Sequence, residues 1–163
     1  MIEIGIKTIG FFIAVFSFSM LINSPKKYLI WAGISGAAAG FIYMICMEAG
    51  WNAVISSFWS ALAAGLISHI FARALKAPVT IFLIGGILPT VPGNGIYQIM
   101  NYVLQNDRSM ASFYLTQTLE IAGAIALAIF LMDTLFKVVR KGEWKQDSLR
   151  YIQKEERKEG EKW

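Results

Sequence analysis

APVTIFLIGGILPTVPGNGIYQIMNYVLQN, Ala77–Asn106, runs for 30 residues without a formal charge. At its centre stands Leu88-Pro89-Thr90-Val91-Pro92-Gly93-Asn94-Gly95. A straight helix does not accommodate this stretch, because each proline removes a backbone donor and its ring clashes with the preceding turn. The glycines loosen the backbone further. Residues 77–88 predict a half-helix of about 18 Å and residues 94–104 one of about 16 Å, at 1.5 Å per residue. Neither covers a hydrocarbon core of roughly 30 Å alone, but together they do, with the break near the middle.

Outward from this run the chain keeps the same character. Thr8–Pro25 holds 18 uncharged residues, Tyr28–Met47 holds 20, and Ala49–Ala72 holds 24 when His69 is counted as neutral. Ser109–Met132 holds 24, with Glu120 its single charge. Hydrophobic residues make up 56% of the 163 residues and charged residues 16%, and 15 of the 26 charged side chains fall within residues 137–163. So few charges over residues 1–136 cannot solvate an aqueous domain, where roughly a quarter of residues are charged. A disordered chain and a nucleic-acid module are excluded on the same ground. A helix needs about 20 apolar residues to cross a bilayer, and backbone groups in lipid must be satisfied internally. The sequence therefore predicts an all-α integral membrane protein. Its five transmembrane helices lie near 5–23, 28–47, 51–71, 78–104 and 112–136, the fourth broken at the Pro-x-x-Pro-Gly motif. Residues 1–136 form the transmembrane domain and 137–163 a charged cytoplasmic tail.

Charge sets the orientation. In a five-span arrangement, 13 of the 15 lysines and arginines share one face: Lys26, Lys27, Arg73, Lys76 and the nine of the tail. Lys7 and Arg108 lie on the other. The positive-inside rule then places the N-terminus outside and the C-terminus in the cytoplasm. A re-entrant hairpin at the break would reverse the tail, so one discontinuous crossing is preferred. The first span lacks the small-x-small cleavage pattern of a signal peptide after Ile22-Asn23-Ser24-Pro25.

The break frees carbonyls around Gly85–Leu88 and N–H groups around Gly93–Ile96. Helix-end partial charges make the N–H end a site for carboxylates and the carbonyl end one for cations. Secondary transporters bind substrate at such breaks. Pro89, Thr90, Pro92, Gly93, Asn94 and Tyr97 are therefore candidate substrate-binding residues, against the alternative of a packed structural kink. Glu120 lies deep in the last span, where an ionisable group is costly and tends to be functional. With Thr116 and Gln117 one turn earlier it forms a candidate proton-coupling patch, or a carboxyl kept neutral or paired with a partner. His69, one turn before Arg73, is a second candidate proton relay or a structural histidine. Asp133 is expected to pair with Lys137 at i,i+4. Gly36–Gly40 and Ala61–Gly65 are small-xxx-small faces for close helix contact. In the tail, Trp144, Tyr151 and Ile152 interleave with basic residues, which predicts a short interfacial helix over 137–152 and a solvated segment over 154–162. One cysteine, Cys46, excludes a disulfide framework. No phosphate loop, His-Glu-x-x-His or metal-ligand pattern is present, so no cofactor, no metal and no enzymatic activity are expected.

Ala77-Pro78-Val79-Thr80-Ile81-Phe82, Gly86-Ile87-Leu88-Pro89-Thr90-Val91-Pro92-Gly93 and Tyr97 together resemble the signature of the threonine/serine exporter family, in its smaller, C-terminal-half component. Asn23-Ser24-Pro25-Lys26-Lys27, Trp31-Ala32-Gly33, Ser57-Phe58, Ala61, Gly65 and Ala72-Arg73 continue the likeness over about residues 10–136. The resemblance implies one subunit of a two-component secondary exporter of threonine and serine, or of C4-dicarboxylates such as succinate, driven by the proton gradient. It implies a larger membrane subunit of the same family as partner, and a multi-pass place in the cytoplasmic membrane of a prokaryote. The charged tail departs from the family's short ends. The residues alone leave two other readings open: a non-transporting scaffold or assembly subunit, and a small homo-oligomeric channel.

Overall fold

A computed structural model describes the backbone of residues 2–160 and the side chains of residues 3–139. Six α-helices carry the fold: α1 (Ile2–Leu21), α2 (Leu29–Glu48), α3 (Ala53–Leu75), α4 (Val79–Ile87), α5 (Gly93–Leu104) and α6 (Arg108–Gly160). No strand occurs among the described residues. The links are short, and several turn on a left-handed residue. Asn23, Gly50, Lys76 and Asn106 have φ of 54°, 83°, 50° and 58°, the conformation that reverses a chain just past a helix end. Asn52 Oδ1 accepts the Ile55 N–H at 2.8 Å to start α3. Asp107 Oδ1 accepts the Met110 N–H at 3.1 Å to start α6. Both are N-caps of the expected residue type.

Stretches Glu3–Leu21, Lys26–Glu48, Ala53–Leu75 and Arg108–Val139 are each long and apolar enough to cross a membrane. The fifth crossing-length unit is the bent pair Val79–Thr90 and Gly93–Leu104, whose axes differ by 49°. The helices α2 and α3 lie at the centre. Against α2 pack α1 and α4; against α3 pack α4 and α6; α5 packs chiefly on α6.

Small residues make these contacts close. Gly33, Gly36 and Gly40 of α2 lie against Phe12, Val15 and Phe11 of α1, and Gly65 of α3 lies against Met132 of α6. Both small-xxx-small faces are thus used inside the subunit. Lipid offers no hydrophobic drive for helices to associate, so close van der Waals approach and hydrogen bonds hold them together. Ser60 Oγ donates to the Ala39 carbonyl across α2 and α3 at 2.6 Å. At the end of the bundle near Lys76, Phe82 is fully buried and meets Tyr28 and Phe71 edge-on at 5.7 and 5.9 Å.

The register between α3 and α6 decides how the chain passes the break. Ala61 clusters with Ile125 and Ala128, Gly65 meets Met132, and His69 stacks on Phe136 at 4.2 Å. Rising numbers on α3 meet rising numbers on α6, so the two helices run parallel. A hairpin at the break would make them antiparallel. Together α4 and α5 therefore carry the chain from one end of the bundle to the other.

One local expectation changes. The helix foreseen over 137–152 is not a separate element, because α6 continues unbroken to Gly160. Its side chains from 140 onward, and the solvated end foreseen through Lys162, lie outside the described residues. At the start of α1, Lys7 Nζ pairs with Glu3 Oε1 at 2.6 Å.

Candidate functional site

Pro89 and Pro92 end one helix and delay the next. After α4 the chain makes a 3₁₀ turn over Leu88–Thr90, then re-enters helix at Gly93 with Pro92 as N-cap and no side-chain cap. The carbonyl end is largely closed. The Leu88 N–H donates to the Gly85 carbonyl, Thr90 Oγ1 donates to that of Ile87 at 2.7 Å, and the Val91 N–H donates to that of Leu88 at 3.3 Å. The free carbonyls expected over Gly85–Leu88 are thus mostly occupied, because the 3₁₀ turn and the Thr90 hydroxyl reach back to them.

The N–H end stays open. The Gly93 N–H donates to the Val91 carbonyl at 2.7 Å, and the Ile96 N–H makes the first helical bond, to Pro92, at 3.2 Å. Between them, the Asn94 and Gly95 N–H groups have no acceptor among the described residues. Unpaired N–H groups at a helix start carry positive partial charge and favour a carboxylate. The break therefore presents two open donors at the start of α5.

A cavity of about 290 Å³ lies against this terminus. Its lining includes Pro89, Thr90, Pro92, Gly93 and Asn94, and it is completed by Tyr43 of α2, Ser57 of α3, and Tyr114, Gln117 and Thr118 of α6. Such a volume sits at the small end of ligand pockets. Thr118 Oγ1 is buried without a hydrogen-bond partner, and Gly95 lies so close to it that a Cβ there would collide with the hydroxyl. Five of the six residues singled out at the break thus meet in one polar cavity. Tyr97 does not line it; its side chain is 65% exposed on α5.

Reading the sequence missed Ser57, Thr118, Tyr43 and Tyr114. The available signal was a stripe of small hydroxyls on α3: Ser56, Ser57, Ser60 and Ser68, spaced at helical intervals and all buried. Ser60 and Ser68 turn to α2, the latter with its Oγ 3.5 Å from that of Ser35, while Ser57 turns to the cavity.

The two proton-coupling candidates lie elsewhere. Glu120 and Thr116 are exposed on α6, and only Gln117 of that patch reaches the cavity. Thr116 Oγ1 donates to the Ser112 carbonyl at 3.1 Å. His69 sits at the far end of α3 with its Nε2 3.8 Å from Asp133 Oδ1. Asp133 Oδ2 also accepts from Lys137 Nζ at 2.6 Å, the i,i+4 pair expected from their spacing.

Apolar helices of crossing length, with a cavity at a helix break, are the frame of a multi-pass membrane protein. The comparison with known families is specific. A family model described as Threonine/Serine exporter, ThrE, matches residues 7–135, and the chain belongs to that family. It is a membrane transport protein of exporter type. No solved structure matches the chain.

Proposed function

We propose that this chain is one subunit of a two-component, proton-driven exporter of small carboxylate-bearing metabolites, threonine and serine or C4-dicarboxylates such as succinate. The observation that carries this reading is the polar cavity at the break, where the unpaired Asn94 and Gly95 N–H groups face the hydroxyls of Ser57 and Thr118. A substrate carboxylate accepts from the N–H groups, and the hydroxyls and amides take the rest of the molecule. Pro89, Thr90, Pro92, Gly93 and Asn94 form the binding segment, with Tyr97 one turn further along α5.

The N-terminus lies outside and the C-terminus in the cytoplasm of a prokaryotic cell, as the basic residues require. Glu120 and His69 are the coupling groups. Glu120 stands in the middle of a span with its side chain turned out of the subunit. A carboxylate facing lipid at that depth costs on the order of 2.5–3.5 kcal/mol. Contact with another subunit relieves that cost, and a larger subunit of the same family is the partner proposed to supply it. Export by proteoliposomes tests it. Vesicles holding both subunits should move labelled threonine, serine or succinate against the flow of protons when a proton gradient is imposed, and vesicles holding this chain alone should not. Equal transport by the chain alone would overturn the two-component assignment.

A further inference from the structure

Helices α4 and α6 both pack against α3, but they make no substantial contact with each other. The space between them is a cleft of about 570 Å³, floored by Gly65 and His69 of α3 and walled mainly by apolar side chains, Leu83 of α4 and Ile129, Phe130 and Met132 of α6, with Thr80 on the α4 wall. At the end near Lys76 it runs into a second space of about 290 Å³; the two share His69, Val79 and Asp133, and the second adds Arg73 and Lys137. At its other end the cleft stops where Ala61 meets Ile125 and Ala128, with both alanines fully buried. One turn beyond that contact, Ser57 lines the cavity at the break. Ser57, Ala61, Gly65 and His69 recur every four residues and so form one stripe of α3. Over about 18 Å this stripe passes the break cavity, a closed contact, the open cleft and a charged mouth.

We propose that this cleft is the solute's approach to the break from the Lys76 face, and that the contact of Ala61 with Ile125 and Ala128 is the closed gate between them. The proposal rests on the reading of the break as the substrate site and supplies its path. The mouth fits a carboxylate-bearing solute. Arg73 and Lys137 outnumber Asp133, and Lys137 is already paired with it. Arg73 holds its guanidinium over the Phe136 ring, 5.4 Å from the centroid, and has no carboxylate partner among the described residues. At the gate two alanines and Ile125 meet directly, with Phe58, Leu62, Ile121 and Ile129 packed around them, so opening it moves these larger side chains as well.

Thiol labelling tests this without any substrate. In the full chain with Cys46→Ala as background, Thr80→Cys and Ala126→Cys place one thiol on each wall, Lys76→Cys marks the open face and Asn94→Cys lies beyond the gate. Membrane-impermeant thiosulfonates are applied from either side of oriented vesicles, with membrane abundance as the control for insertion. Both wall thiols should react from the face that labels Lys76→Cys and not from the other. Asn94→Cys should react at least about tenfold more slowly from that face. An anionic reagent should outpace a cationic one several-fold at Thr80→Cys, and Arg73→Gln should shrink that ratio. Unreactive wall thiols beside a reactive Lys76→Cys would overturn the approach, since lipid or a partner would then fill the cleft. Asn94→Cys reacting as fast as Thr80→Cys would overturn the gate, and equal rates for the two reagents would overturn the charge selection at the mouth. Loss of export with these labelling patterns intact would count against the exporter reading alone.

Discussion

A Cβ at Gly86 would sit 2.7 Å from Ser35 Oγ and 3.0 Å from Ala64 Cβ, so α4 approaches both central helices more closely than any side chain there would allow. Ala64 has no rotamer with which to retreat. Gly123, on α6, has nothing within 4 Å of the same ideal position. Gly86→Ala should therefore cost about 1–3 kcal/mol by overpacking. Gly123→Ala should be neutral or gain up to about 1 kcal/mol, the helix-propensity difference. Thermal unfolding of the two variants in detergent checks the pair, and a Gly86→Ala variant as stable as Gly123→Ala would refute the close approach. Glu120 poses the other test at this scale. Glutamine keeps its volume and hydrogen bonding but cannot titrate. Glu120→Gln should insert normally while export loses its response to an imposed pH gradient; an unaltered response would leave His69 as the coupling group.

The break is the element on which topology turns. If α4 and α5 form one discontinuous crossing, cysteines at Lys76 and Asn106 should be labelled from opposite sides of the membrane. Labelling of both from one side would refute the parallel arrangement of α3 and α6. This element was legible in the sequence because proline and glycine act locally: Pro89 and Pro92 remove their own N–H groups whatever surrounds them. The open N–H groups at Asn94 and Gly95 follow from the same local chemistry. The closed carbonyl end does not, since it depends on the Thr90 hydroxyl choosing the Ile87 carbonyl. Nor was the direction of Glu120 legible. A helix apolar on nearly every side gives no phase, so the sequence shows that Glu120 lies within a span but not which way it points. The meeting of His69 with Asp133 was hidden for a similar reason. The residues stand 64 positions apart, and only the parallel register of α3 and α6 joins them.

At the scale of the whole molecule, α2 and α3 form the centre, α4 packs on both, and α5 packs on the long helix α6. The α3 stripe of Ser57, Ala61, Gly65 and His69 runs from the break cavity to the charged mouth, while Ser60 and Ser68 turn to α2 and Glu120 and Thr116 are exposed on α6. The whole account rests on the break as the carboxylate site, and substrate binding by the assembled exporter tests it most directly. Pro89→Ala with Pro92→Ala restores two N–H donors and removes both ring clashes, so the span can close its hydrogen-bond ladder. Measured by equilibrium binding of labelled threonine, serine and succinate at matched membrane abundance, the double variant should lose affinity at least tenfold, while Asn94→Ala loses less. Undiminished affinity in a well-inserted double variant would contradict the account and place the substrate site away from the break.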